Sequence, residues 1–299
     1  MGELHLQKYV LSLDLGSSGL KTAIISDSGD VAAYCYEPYD TIVLPDGGAE
    51  QDAETWWKLS LKTSKRVIAD SGAQAEQIVG ICCDSQYFLT IPVNEHVEPL
   101  MNCISWRDTR GGKYNREMMK GFPAVQGMSI RKLIKFIRYT GVAPTNVGAD
   151  ALAHMLFVKH DLPEIYNKTH KFLEPVDYLT SRLTGRITAS QHTALTMMLT
   201  SNRNWGDREY CDPLLKMSGI DREKLPELLP SDGIVGNITS AVAEELGLSA
   251  ETPVICGMFD NQAAIPGAGI VDLLQGLLLV STTLSPVSYT HLTLPTITE

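Results

Sequence analysis

Two segments of this chain carry residue types and spacings suited to phosphate chemistry. The first is Asp14-Leu15-Gly16-Ser17-Ser18-Gly19-Leu20-Lys21-Thr22. An acid at a strand end can hold Mg²⁺ through water. The small residues let backbone N–H groups close on phosphate oxygens, and Lys21 adds a positive point charge. It is not a Walker A loop, because too few residues separate Gly16 from Gly19. A tight turn that uses Gly and Ser for conformational reasons alone explains this run equally well. The second segment is Cys256-Gly257-Met258-Phe259-Asp260-Asn261-Gln262-Ala263-Ala264, followed by Gly267-Ala268-Gly269. There an apolar strand delivers Asp260 to the start of a helix, where a carboxylate can take a proton from a hydroxyl. A plain N-cap role for Asp260 is the alternative.

Elements of α/β type must position these groups. Val10 to Leu15 reads as an apolar strand. Ala23–Ile25 and Val31–Tyr36 flank the turn Asp27-Ser28-Gly29-Asp30 as a hairpin. Asp52 suits an N-cap, with Trp57, Leu61 and Ile68 on one face of a helix ending near Gly72. Ile78–Cys83, Phe88–Val93 and Leu100–Ile104 read as further strands. Helical spacing dominates from Arg131 to about Leu183, and Pro175 suits a first helical position. Ile234–Gly236 resumes strand character, Ala241–Leu246 reads as helix, and Val254–Gly257 is a buried strand. The order predicts a mixed sheet with a helical insert.

Composition excludes several classes. The 299 residues exceed one ordinary domain of ~100–200 residues and suit one large α/β unit or two smaller ones. Lys and Arg total 25 against 35 for Asp and Glu, a net charge of −10, so no basic stripe serves nucleic acid. The N-terminus lacks a basic start followed by an apolar stretch, which predicts no signal peptide. Leu273 to Thr298 is uncharged, but Gly276, Pro286 and Pro295 argue against a membrane span. No C-x-x-C pair occurs among the six cysteines, which suits reduced thiols and a cytoplasmic location. The seven histidines lack zinc-ligand spacing.

In order and spacing the motifs resemble the FGGY family of carbohydrate kinases, and most nearly its xylulokinase-like members. The likeness runs from Tyr9 through Lys21 and continues at Gly48-Ala49-Glu50-Gln51-Asp52 with Trp56-Trp57. It includes Ile104-Ser105-Trp106-Arg107-Asp108-Thr109-Arg110, Pro175-Val176-Asp177-Tyr178-Leu179 and Leu183-Thr184-Gly185, and ends with Gly257–Asn261 and Gly267-Ala268-Gly269. The resemblance implies the two-domain actin-like ATPase (ribonuclease H-like) fold and transfer of the γ-phosphate of ATP to the hydroxyl of a ketose or polyol. It implies that Asp14 organises Mg²⁺ and phosphate, and that Ser17, Ser18 and Lys21 form a first phosphate loop. Asp260 would be the general base and Asn261 a sugar contact, with Gln86, Trp106 and Asp108 as further sugar-site residues. The partner would be a small-molecule sugar, and a homodimer is allowed. Many xylulokinases carry Gln-Met-His where this chain has Gln86-Tyr87-Phe88, and Met258-Phe259 stands where Gly-Gly is usual. The resemblance therefore points to the family and leaves the sugar open. A non-catalytic sugar-binding module and another actin-like ATPase are the competing readings. The conjunction of Asp14, Lys21 and Asp260 favours a kinase.

Residues 1–270 are expected to form the sugar-binding N-terminal domain and 271–286 the start of a C-terminal, nucleotide-binding domain. Leu279-Val280-Ser281-Thr282-Thr283 reaches toward a second phosphate loop before the pattern fails. Residues 287–299 resemble a library adapter read in one frame, which predicts a truncated gene with a foreign tail. A chain without the second lobe is expected to turn over little.

Overall fold

The central sheet follows from strands whose side chains alternate between core and surface. The computed structural model describes residues 7–203 and 206–269, together with the backbone of the strands Gly276–Val280 and Leu284–Ser288. Strand β1 (Tyr9–Leu15) buries Leu11, Leu13 and Leu15. It turns through Gly16–Ser18 into β2 (Gly19–Ser26), which turns again into β3 (Val31–Pro38); all neighbours in this meander are antiparallel. The second turn contains the expected Asp27–Asp30 segment, with Gly29 at φ 88°. Helix α1 (Ala53–Ser71) then carries the chain to β4 (Ile78–Ser85), which lies parallel to β1.

Helix α1 starts and stops where the sequence predicts. Asp52 accepts the Glu54 N–H at 2.9 Å, and Gly72 adopts φ 69° at the C-terminus. Its buried face differs from expectation. Trp56, Ser60, Thr63, Ser64 and Val67 turn inward, while Trp57, Leu61 and Ile68 lie at the edge of the core. Small hydroxyl residues let the helix approach the sheet closely, and the Thr63 and Thr22 hydroxyls bond at 2.7 Å. A count of apolar residues alone cannot register such a contact.

Farther along, α2 (Ile130–Thr140) and α3 (Ala151–Asp161) belong to the helical insert. Helix α3 buries Ala151 through Val158 without a break, as a helix does inside its own core. Phe136, Leu152, Met155, Phe172 and Leu214 belong to that second core, separate from the one under the sheet. Helix α4 (Pro175–Thr184) starts with Pro175 at its first turn. The chain then returns to the sheet through β5 (Ile234–Asn237), helix α5 (Ser240–Leu246), β6 (Pro253–Ile255) and β7 (Met258–Phe259). Helix α6 (Asp260–Gly267) follows directly. The sheet order is β5-β6-β4-β1-β2-β3, with β7 also pairing with β4. Strands β6 and β7 run parallel to β4, and β5 is antiparallel to β6, so the sheet is mixed as expected.

Two expected strands are shorter than their apolar runs suggest. The segment from Phe88 to Val93 is strand only over Ile91–Val93, because Phe88 stands at φ 61° and turns the chain. Of Leu100–Ile104, only Cys103–Ile104 pairs as strand. At the far end Gly276–Val280 pairs antiparallel with Leu284–Ser288, across the expected boundary after residue 286. Residues 281–283 of the 279–283 stretch expected to reach a second phosphate loop, and 289–299 of the expected 287–299 tail, lie outside the described residues.

Gly257 sits between β6 and β7. A Cβ there would lie 2.0 Å from Val176 Cγ2 on α4 and 3.0 Å from the Cys83 carbonyl. Gly257→Ala should therefore destabilise the protein by roughly 1–3 kcal/mol through overpacking, measured by urea unfolding. A second prediction concerns Asp177, a fully buried carboxyl on α4. It accepts the Thr193 hydroxyl at 2.9 Å, and its other oxygen has no hydrogen-bond partner among the described residues. Burial pushes it up to about 8, despite hydrogen bonds that favour the ionised form. A carboxyl raised on folding stabilises the protein fully below its unfolded pKa, and that contribution is lost as pH rises through the folded value. The wild type should lose stability between pH ~5 and ~9 more steeply than Asp177→Asn, by on the order of 1 kcal/mol or more, since one pKa unit is worth ~1.4 kcal/mol. Equal slopes in urea unfolding at the two pH values would show that Asp177 ionises freely.

Candidate active site

The parallel strands β1, β4 and β7 end side by side, and in open α/β sheets ligands bind at such carboxyl ends. Register sets Asp14 opposite Asp84, and Met258 and Phe259 opposite Asp84 and Ser85, which brings Asp260 to the same edge. Lys21 pairs with Asp14 across the β1–β2 hairpin, its Nζ 2.6 Å from Asp14 Oδ2. Asp14 Oδ1 is buried and has no hydrogen-bond partner among the described residues.

Three carboxyl groups thus converge on one ammonium. Asp84 is pushed up to about 8, first by burial and then by the charges of Asp14 and Asp260. Asp260 is also raised, chiefly by burial and further by Asp14, although the Asn261 N–H bonds its Oδ1 at 2.7 Å. The helix N-terminus favours an ionised Asp260, but desolvation outweighs it. Asp260 is the first residue of α6 and Phe259 is the N-cap, so the plain N-cap alternative does not describe it. Asp84 was missed at the sequence level. The available signal was an acid at the penultimate position of an apolar strand, the position Asp14 holds in β1.

The Gly16–Gly19 turn is braced from below. The Gly16 N–H bonds the Gly19 carbonyl at 3.1 Å. Tyr39 donates its hydroxyl to the Gly16 carbonyl, Tyr36 donates to that of Ser18 at 3.1 Å, and Gln51 Nε2 donates to that of Ser17 at 3.1 Å. A Cβ on Gly19 would lie 2.5 Å from the Tyr36 ring, so only glycine lets that ring close under the turn. Ser18 is exposed and Ser17 half-buried at the tip.

The remaining expected residues divide. Asn261 belongs to the site and donates its side-chain N–H to Tyr87 Oη at 2.8 Å. Tyr87 packs against Phe259, ring centroids 4.8 Å apart, and against Phe88 at 5.1 Å. These side chains line a cavity of about 190 Å³, and Asp260 itself is not among its lining residues. Gln86 follows β4 but is buried under the Gly16–Gly19 turn, where it donates to Gln51 Oε1 at 2.7 Å. Trp106 packs half-buried against the sheet core with the Arg107 guanidinium 5.0 Å over its ring, and it does not line the cavity. Asp108 is likewise outside the lining of that cavity. It is fully buried, accepts the Ala49 N–H at 3.0 Å and pairs with Arg110 Nη2 at 2.6 Å. That pairing holds the segment after Ile104 against β-strand residues Ala49 and Glu50.

Among the described residues no group of three or more His, Cys, Asp or Glu side chains could cage a metal. The unpartnered oxygen of Asp14 fits a looser mode, with Mg²⁺ held through water by one carboxylate and by phosphates. All six cysteines are free thiols. Among the described residues no helix is long and apolar enough to cross a membrane.

Residues 9–267 match the model of the FGGY family of carbohydrate kinases, N-terminal domain. The xylulose kinase of Bacillus subtilis is 30% identical over 283 residues, covering 94% of this chain and 54% of that protein. The L-xylulose/3-keto-L-gulonate kinase of Escherichia coli is 27% identical over 270 residues, covering 89% of this chain and 51% of its own length. Among solved structures, the xylulose kinase of Rhodospirillum rubrum superposes with a TM-score of 0.80 at 21% identity, over 91% of this chain and 53% of that one. A glycerol kinase of Plasmodium falciparum with ADP gives 0.77 at 18% identity, over 90% of this chain and 52% of that one. The chain spans about half the length of the curated relatives it matches. Its strand-end carboxylates, its braced Gly16–Gly19 turn and these matches belong together: the chain belongs to the FGGY family of carbohydrate kinases.

Proposed function

We propose that this chain is the sugar-binding lobe of an ATP-dependent kinase that phosphorylates a hydroxyl of a small ketose or polyol, in the cytoplasm. The observation that carries the reading is Asp260, a raised carboxylate on the same sheet edge as the Asp14–Lys21 pair, flanked in sequence by Phe259 and Asn261, which line a small cavity. Phosphoryl transfer needs little covalent work from a protein; it needs an in-line hydroxyl, a base beside it and neutralised phosphate charge. Asp260 orients the acceptor hydroxyl and takes its proton. A carboxyl raised above its usual range is a better match for that proton than an ordinary one. Asn261, fixed by Tyr87, holds the acceptor from the next position. Ser17, Ser18 and Lys21 receive the phosphates of ATP at the braced turn, where Lys21 exchanges its bond to Asp14 for one to phosphate. Asp14 would hold Mg²⁺ through water, and the ion supplies charge neutralisation to the phosphates. The relatives of about twice this length support a second lobe that supplies the rest of the nucleotide site, with residues 1–270 as the first lobe and 271–286 as its junction.

Two outcomes test this. In a chain of the relatives' length, Asp260→Asn should lower kcat about 10²–10⁴-fold, the usual worth of a general base, while sugar affinity changes far less because Asn keeps an acceptor oxygen. Coupled assay of ADP release across a panel of ketoses and polyols measures both. Near-normal kcat in the variant would put the base elsewhere. The same assay on the wild type should show activity falling as pH drops through the raised pKa of Asp260, because only the ionised form takes a proton.

A further inference from the structure

The helical insert carries a cationic cleft that the proposed reaction leaves unused. Its walls are Arg131, Lys132 and Lys135 of α2 and, facing them, Pro213, Lys216 and Met217 of the helix Asp212–Ser218. Phe136 of α2 and Leu214 of the facing helix both belong to the insert core, which fixes the two walls. The cleft has a volume of about 360 Å³, and none of its lining residues is acidic. Asp212, next to Pro213 in sequence, accepts from Arg222 Nη2 at 3.2 Å instead. Lys132 donates to the Met118 carbonyl at 2.6 Å. Arg131, Lys135 and Lys216 are exposed and have no hydrogen-bond or ion-pair partner among the described residues.

This placement works against the helix that carries it. Arg131 and Lys132 sit in the first turn of α2, where the helix dipole disfavours cations, and that turn holds no acid. Arg131 and Lys135 stand four residues apart, a like-charge spacing that destabilises a helix. Residues 111–149 hold seven Lys and Arg against one Glu, in a chain whose net charge is −10. A face that serves solubility alone mixes both signs. Four cations converging from two helices fit a compact polyanion. One phosphate monoester carries about −1.5 to −2 charge at neutral pH, so two phosphoryl groups match the four cations. We propose that this cleft binds a small metabolite carrying two phosphoryl groups, at a site separate from the Gly16–Gly19 turn. The α2 cations hold one phosphoryl group and Lys216 holds the other from across the cleft. Pro213 and Met217 offer apolar contact to the carbon frame between them.

The test is equilibrium dialysis of the 299-residue chain against labelled inorganic pyrophosphate and, separately, orthophosphate, without Mg²⁺. Pyrophosphate should bind about 10-fold or more tighter than orthophosphate, because it engages both walls through charge-assisted bonds. Its affinity should fall as ionic strength is raised. Lys135→Gln combined with Lys216→Gln should weaken pyrophosphate binding about 10-fold or more, whereas Lys21→Gln should leave it unchanged. Both cleft positions are exposed, so the double variant should keep its fold, checked by circular dichroism, and Lys216→Gln alone should weaken binding in the same direction. Absence of pyrophosphate binding, equal binding of the two anions, or unchanged binding in the cleft variants overturns the proposal. Loss of binding in Lys21→Gln alone also overturns it and assigns the anion to the Gly16–Gly19 turn.

Discussion

Three carboxyl groups and one ammonium at a single sheet edge set the terms for the rest of this structure. Parallel pairing of β1 and β7 to β4 forces Asp14, Asp84 and Asp260 together, whatever the charge cost. Like charges at that separation from water cannot all ionise freely, and Lys21 offsets only part of the repulsion through its 2.6 Å contact with Asp14. Asp84, raised to about 8, holds a proton that relieves part of this repulsion, and one buried Asp14 oxygen has no hydrogen-bond partner among the described residues. Such tension is tolerable where a cationic or proton-bearing ligand relieves it, and the braces under the Gly16–Gly19 turn keep the geometry in place meanwhile.

The insert serves this edge from a distance. Glu174, fully buried at the start of α4, accepts the Leu89 N–H at 3.1 Å and the Thr196 hydroxyl at 2.6 Å. It thereby ties the chain after Phe88 to the turn that contributes Leu195 to the pocket. Arg110 joins Asp108 and Glu50 on the sheet side and lies 4.5 Å from the Phe157 ring on the insert side. Two hydrophobic cores are thus held in register by a few charged groups with satisfied bonds, and the pocket lies near their junction.

Much of this was legible in the sequence, and what was not has a physical reason. Asp14, Lys21 and Asp260 announce themselves because turn chemistry and strand ends are local properties. The caps of α1 were legible for the same reason. Asp84 was not, since its importance comes from a neighbour 70 positions away in the register that brings β1 beside β4. Asp108 has the right residue type for a sugar contact; only the fold reveals that Arg110 and the Ala49 N–H enclose it. Gln86 lies between the expected strands Ile78–Cys83 and Phe88–Val93, and its side chain turns beneath the Gly16–Gly19 turn. The positive φ of Phe88 leaves no trace in residue type, which is why the strand was expected to begin there.

The bond between Asn261 and Tyr87 spans 174 residues of chain. Contacts of such separation form late, because closing a long loop costs entropy that only the finished interface repays. The β1–β2–β3 meander, α1 and β4 are close neighbours in sequence and can assemble first. The insert can condense around its own core. Strand β7 and Asp260 can dock only when both are in place and Val176 has met Gly257. By that ordering Asp260, the residue on which the proposed chemistry turns, is expected to be among the last of the described residues to reach its position.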